Sequence, residues 1–365
     1  MFLELNLLKF NGINCKGIKV KHKLGTTNIK IFIGVLIGLA VVIAMVALVW
    51  LDTTGKKGSG LGKEYLYEID AKIDPNLIIY EQSGEAIGTG LKAPTAIAVG
   101  PGGRVYIAGD EDIQILNEGP NSNFSPFGRI ELPCAPQCLT VADDGKFYIG
   151  TKDHVEIYDD KGKQLASWES LGEKAVLTSI AVSENDVFVA DAGNRIVLHY
   201  DTTGKLVNHI GGKDKAKNIP GFVIPSPYFD LAVGRDGLLR VVNPGLHRIE
   251  AYTFNGDLEF FWGKFSLGVE GFCGCCNPIN FAIFEDDSFV TCEKGLARVK
   301  IYDPEGAFVG VVAGPEQLGV IAHVCATPAQ CQSGGFDVAV DAKGRIFILD
   351  TINNVMKIFT RKKAG

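Results

Sequence analysis

The chain has 365 residues, 21% of them charged, and a formal net charge of −6. That length suffices for two average domains or one large all-β domain with a substantial core. With that acidic balance nothing argues for a nucleic-acid surface, so nucleic acid is set aside as a partner.

The first feature along the chain is a run without a charge, "IFIGVLIGLAVVIAMVALVWL", Ile31 to Leu51. At about 1.5 Å per residue it reaches across about 30 Å of hydrocarbon, so a transmembrane helix is predicted over 31–51. The run is too long and too rich in Val and Ile for a signal-peptide core, and no small-x-small cleavage site follows it. Lys9, Lys16, Lys19, Lys21, Lys23 and Lys30 precede it, whereas Asp52, Lys56, Lys57 and Lys63 follow. The positive-inside rule then places the 1–30 segment in the cytoplasm and everything after Leu51 outside it. The expectation is a single-pass cell-membrane protein with a linker over 52–76, Gly/Ser/Lys-rich between Thr53 and Lys63, and a periplasmic or extracellular domain over 77–363.

That domain repeats. From Ala93 the chain gives "PTAIAVGPGGRVYIAGDEDIQIL", "QCLTVADDGKFYIGTKDHVEIYDDKG" and "LTSIAVSENDVFVADAGNRIVLHYDTTGK". It goes on with "YFDLAVGRDGLLRVVNPGLHRIEAYTFNGD", "INFAIFEDDSFVTCEKGLARVKIYDPEGA" and "GFDVAVDAKGRIFILDTINNVMKIF". Each unit holds a small-apolar strand, a turn such as Asp236-Gly237 or Lys343-Gly344, an apolar strand, a polar loop and an alternating strand. Periods of about forty to fifty residues with several strands each indicate propeller blades, here an all-β, six-bladed β-propeller.

The unit Val187 to Gly211, "VFVADAGNRIVLHYDTTGKLVNHIG", resembles the NHL repeat, and the likeness extends more weakly over Leu77 to Phe359. The resemblance implies the propeller fold and leaves function open, because one architecture hosts binding modules and enzymes alike. The sixth unit stops after its third strand, near Lys357 to Thr360. Leu77 to Gln82, "LIIYEQ", has the alternation to supply the missing strand and hide an exposed edge.

Cysteine use is the unusual feature. Of the nine cysteines, Cys15 lies before the apolar run and the other eight map to one face of a propeller. Cys134 and Cys138 precede blade 2, Cys273, Cys275 and Cys276 precede blade 5, Cys325 and Cys331 precede blade 6, and Cys292 ends the second strand of blade 5. In an exported domain an even number of cysteines indicates disulfides, with Cys134–Cys138 and Cys325–Cys331 as local pairs. The "CGCC" run resists that solution, since neighbouring cysteines bridge each other only with strain. The alternatives are a thiolate site in which Cys273, Cys275, Cys276 and Cys292, with Cys325, Cys331 or His323 nearby, hold zinc, copper or an iron–sulfur cluster, or a redox protein with a catalytic or exchanging dithiol in this run. If Phe284 pairs with Phe289, Cys292 faces about Phe281.

Asp230, Asn280 and Asp337 occupy equivalent positions at the channel mouth in blades 4, 5 and 6. They are either a constellation of the kind that propeller hydrolases and lyases use, or side chains bound to the next blade's backbone. No Ser-His-Asp arrangement, phosphate loop or haem-attachment motif is visible, so no catalytic residue is assigned. The leading expectation is a docking or accessory module for another exported or membrane protein. It presents the cysteine-bearing face together with the long insertion Gly314 to Gly335, which includes Glu316, Gln317 and His323.

Overall fold

Uninterrupted apolar strands need cover on both faces, and the architecture supplies it. In the computed structural model, which describes residues 26–50, 72–120, 123–216, 219–319 and 335–363, five four-stranded antiparallel sheets and a sixth with one short additional strand stand around a central channel. Blade 1 comprises Pro94–Val99, Val105–Gly109, Asp112–Glu118 and Phe124–Glu131. Blade 2 comprises Cys138–Val141, Phe147–Gly150, Val155–Tyr158 and Gln164–Ser167. Blade 3 holds Leu177–Ser183, Asp186–Asp191, Ile196–Asp201 and Leu206–Ile210; blade 4 holds Leu231–Val233, Leu239–Asn243, Arg248–Tyr252 and Leu258–Trp262. Blade 5 holds Asn280–Ile283, Phe289–Glu293, Arg298–Tyr302 and Phe308–Ala313.

Second strands such as Val105–Gly109, Leu239–Asn243 and Phe289–Glu293 are buried at every position, because a neighbouring sheet covers each face. Outer strands such as Gln164–Ser167 are mostly exposed and read as polar. The described core accordingly falls into clusters that lie between blades. One joins Val242, Ile249 and Trp262 of blade 4 to Phe281, Phe289 and Tyr302 of blade 5. Another joins Ile97, Val105 and Ile107 of blade 1 to Ala339, Phe347 and Leu349 of blade 6, which closes the ring.

Blade 6 contributes Phe336–Val340, Ile346–Asp350 and Val355–Arg361 from the end of the chain. Its fourth strand comes from the beginning of the domain: Tyr80–Gln82 pairs antiparallel with the third strand, Tyr80 opposite Arg361 and Gln82 opposite Phe359. Ile87–Gly88 adds a short pairing at Met356 and Val355. The closing strand is thus where the alternation in "LIIYEQ" puts it.

The turns follow their residues. Gly237 and Gly344 take φ of 75° and 73°, the left-handed region that glycine enters at no steric cost. The "EDDS" turn differs from expectation by one residue. Phe284 pairs with Ser288, not Phe289, because Asp287 adopts φ 62° and makes a three-residue loop. Cys292 consequently faces Asn280 and not Phe281.

The chain divides into two units, Met1–Leu61 and Gly62–Gly365. In the first, an α-helix runs over Thr26–Trp50. Its described side chains are Ile31 and those from Ile33 to Ala44, a stretch of about 18 Å against the roughly 30 Å of a hydrocarbon core. Among the described residues no helix is long and apolar enough to cross a membrane. This corrects the expectation of a single-pass cell-membrane protein with an exported propeller, and the cytoplasmic placement of residues 1–30 loses its basis with it. Cys15 and most of the expected linker lie outside the described residues.

Because Tyr80 is buried where the first and last strands of the propeller pair, Tyr80→Ala is expected to cost about 3–5 kcal/mol of stability, as loss of a large buried ring does. Urea unfolding would show a lower midpoint; an unchanged midpoint would mean the closing strand contributes little.

Candidate functional site

Two regions carry the polar side chains singled out from the sequence: the channel, and the face formed by the loops that lead into each first strand.

The first strands line a central cavity of about 580 Å³. Asp230, Asn280 and Asp337 all border it, as expected, and each is engaged with the next blade. Asp230 accepts from the Phe281 amide (2.8 Å) and from its neighbour Leu231 (2.9 Å). Asp337 accepts from the Ile97 amide (2.8 Å) and from Val338 (2.9 Å), and Asn280 donates to the Phe336 carbonyl (2.8 Å). Thr95 and Thr178 do the same elsewhere, donating to Pro136 and Phe229 carbonyls at 2.9 and 2.6 Å. These side chains fasten blade to blade around the channel.

Burial pushes the Asp230 carboxyl up to about 6, against the pull of the Ser179 hydroxyl and two amides. Burial, reinforced by the charge of Asp230, pushes Asp337 up to about 7. Ionising both therefore sets like charges against each other inside a poorly solvated ring.

On the loop face, a polar residue at or just past the end of the second strand holds the lead-in loop in blades 1, 3, 4 and 5. Asp110 accepts from the Lys92 and Ala93 amides, Asp191 from Val176, Asn243 from Val223, and Glu293 from Cys273, all at 2.9–3.0 Å. Asp350 instead holds its own turn through the Ile352 and Asn353 amides. The recurrence of these residues in the sequence is thus the repeat's own hydrogen bonding.

Blade 5 elaborates the pattern. Buried Glu293 also pairs with Arg298 (2.6 Å) and Lys300 (3.1 Å), and Lys300 donates to the carbonyls of Val269 and Gly271. Burial pulls the Lys300 ammonium down to about 8, with Glu293 opposing. Sequence reasoning missed this network, although three charged residues within an otherwise apolar strand pair were its signal.

The cysteines part company. Cys273, Cys275, Cys276 and Cys292 are all free thiols. Cys292 is enclosed in the core between blades 5 and 6, with burial raising its thiol well above the ordinary range. Cys276 points the other way, its Sγ 3.3 Å from Ser226 Oγ of the loop leading into blade 4 and 3.3 Å from Cys275 Sγ. Cys273 is buried and Cys275 exposed. Among the described residues no group of three or more His, Cys, Asp or Glu could hold a metal, so the four-sulfur site for zinc, copper or an iron–sulfur cluster is not assembled. The reason is the strand direction: the side chain of Cys292 faces the interface with blade 6, while "CGCC" folds toward blade 4.

Nor is Cys134 bonded to Cys138. Cys138 packs between blades 2 and 3 against Tyr148, Leu177 and Ile180, and its burial raises the thiol strongly. Cys134 approaches Glu156 at 3.9 Å. Cys325, Cys331 and His323 lie outside the described residues. Of the remaining insertion, Glu316 is exposed, while Gln317 accepts from the Gly314 amide at 3.0 Å and closes the turn Pro315–Leu318.

Asn277 fixes the end of the "CGCC" loop: its amide donates to the carbonyls of Cys273 and Lys294, and its oxygen accepts from the Lys294 amide. Lys294 Nζ donates to Ser226 Oγ at 2.7 Å and lies 4.3 Å from the centre of the Tyr228 ring. Neither Ser226 nor Lys294 was legible as part of the site, because they come from different blades and from no shared motif. Close by, His247 donates to the Gly274 carbonyl (2.7 Å) and meets the edge of Phe265 at 5.2 Å.

Comparison with known proteins comes down to architecture. No family model matches the chain, and no curated protein matches it. Solved structures do. A streptogramin B lyase is 11% identical, with TM-score 0.50, over 78% of this chain and 98% of that one. A catalytically inactive virginiamycin B lyase from Staphylococcus aureus, with quinupristin, is 15% identical, with TM-score 0.52, over 78% and 100%. A structural genomics protein of unknown function from Bacteroides thetaiotaomicron is 14% identical, with TM-score 0.52, over 77% and 73%. The chain has a six-bladed β-propeller fold. Such identities show the fold alone; the NHL family is not established by any match.

The raised carboxyls make stability depend on pH. Their unfolded values lie near 3.8, so the favourable contribution is complete below that and lost as pH rises through about 6 and 7. Asp337→Asn is therefore expected to gain on the unaltered protein, in melting temperature, between pH 5 and pH 8. A difference that does not vary with pH would contradict the shift.

Proposed function

We propose that the propeller is a non-catalytic docking module that binds another protein through the loop face of blades 4 and 5. One observation carries this reading. Val223, Phe265 and Leu267 are 41%, 57% and 50% exposed there, on a backbone that is itself firmly held. Val223 is tied to Asn243 and, through its carbonyl, to Gly245; Phe265 packs on His247 two residues further on. Large apolar side chains held open on a rigid frame favour burial against a partner, at about 25 cal/mol per Å² covered. Loops on rigid scaffolds are where such contacts gather.

A hydrolase or lyase reading, suggested by the two lyases of this fold, would need a free base or ligand at the channel. Asp230, Asn280 and Asp337 already hold neighbouring blades. The propeller's polar groups support its own closure, and its apolar loop face supports an interaction.

The test is affinity capture from extract of the native host with the full chain and with Phe265→Ser/Leu267→Ser. Proteins retained by the unaltered chain are expected to be lost from the double variant. A Leu206→Ser variant, altered on the exposed outer strand of blade 3, should keep them. Equal retention by all three chains would rule out this face.

A further inference from the structure

Of the candidates, the Asp230/Asp337 pair is consumed by backbone bonds and the Glu293–Arg298–Lys300 network by its own charges. The thiols beside Ser226 are left without a structural task. Cys275 is exposed, Cys276 is 1% exposed, and their sulfurs are 3.3 Å apart. Neither is bonded to Cys273 or Cys292.

The surroundings treat the two sulfurs differently. Ser226 donates its hydroxyl to Cys276 Sγ, and Lys294 Nζ donates to that hydroxyl, so a buried cation stands one hydroxyl behind the sulfur. Among the described residues the Lys294 ammonium has Ser226 and the Tyr228 ring as partners and no carboxylate in salt-bridge range. A thiolate formed at Cys276 would meet a donor and, behind it, a positive charge, the surroundings in which cysteines become reactive. Cys275 has the access that Cys276 lacks.

We infer that Cys275 and Cys276 are a reversible dithiol–disulfide pair that exchanges with low-molecular-weight disulfides. Cys275, as thiolate, attacks one sulfur of the small disulfide. A bond forms to Cys275 Sγ, the small disulfide's bond breaks, and one small thiol departs with the proton that Cys275 gave up. Cys276 then attacks Cys275 Sγ; the mixed bond breaks, and the second small thiol departs with the proton from Cys276. Two protein thiols are oxidised by two electrons and one small disulfide is reduced to two thiols. Ser226 and Lys294 act as positioning residues for the second step.

Reversibility follows from adjacency. Neighbouring Cα atoms are about 3.8 Å apart, below the roughly 4.4 Å at which relaxed disulfides begin. Strained and exposed disulfides are the readily reduced ones, suited to exchange and poor as staples. The inference stands apart from the docking reading, since it uses neither Phe265 nor Leu267.

The reduced full chain is equilibrated with mixtures of oxidised and reduced glutathione, quenched in acid, alkylated with N-ethylmaleimide and digested for mass spectrometry. The expected product is a Cys275–Cys276 peptide two hydrogens lighter than the dithiol and free of N-ethylmaleimide. Its fraction should rise as oxidised glutathione is raised and fall when reduced glutathione is added. Cys276→Ser is expected to stop at glutathione on Cys275. Ser226→Ala, checked for folding by circular dichroism, is expected to slow closure of the mixed disulfide about tenfold or more, as loss of a hydrogen bond to a charged group does. Lys294→Met, which removes the charge and its donor at nearly the same side-chain length, provides the same reading. The inference is overturned if both cysteines remain alkylated across the series, if glutathione stays on Cys275 of the unaltered chain, or if either cysteine bonds elsewhere.

Discussion

The structure depends on one pairing, Tyr80–Gln82 against Val355–Arg361. Each blade buries both faces of its inner strands against its neighbours, so no sheet is stable alone and every sheet needs the ring. With the fourth strand of blade 6 absent, the ring would end in an open edge next to the cluster around Tyr80, Phe336 and Phe359. The chain avoids this by drawing its closing strand from the other end of the domain. Around the channel, Asp230, Asn280 and Asp337 repeat the logic on a smaller scale, each spending a polar side chain on the next blade's backbone.

Closure at the channel determines where anything else can happen. Carboxylates held by amides and raised toward neutrality by burial are poorly placed to serve as free ligands. The loop face has a different economy: second-strand ends hold the lead-in loops from below, which leaves the loops' outward side chains unused. Blade 5 invests most, with Glu293, Arg298 and Lys300 buried beneath the loop that carries Phe265, Leu267 and the "CGCC" run. Rigidity from below and apolar exposure above are the physical basis of the docking proposal.

The strands, their order and the closing segment were legible because burial imposes a period on them: continuous apolar runs where two sheets cover a strand, alternation further out. A glycine turn such as Lys343-Gly344 could be read for the same local reason. The "EDDS" turn could not, because Asp287 enters the left-handed region without being glycine, and one residue of register moved Cys292 from Phe281 to Asn280. That shift, and the direction of the strand's side chains, scattered the sulfurs expected to share a metal. The disulfide expectation for Cys134 and Cys138 rested on export, and export rested on the helix at 31–51; the described part of that helix does not sustain it. Ser226 and Lys294 were illegible for a further reason, since their meeting depends on how blades 4 and 5 pack and on no spacing along the chain.

The central claim is that the blade 4–5 loop face is an interaction surface. Its most direct measurement places a photoreactive phenylalanine analogue at Phe265 and, separately, at Leu206, followed by irradiation of the full chain in its native host. The account requires a covalent adduct with another protein from position 265 and none from position 206. Adducts from position 206 alone, or from neither, would contradict it.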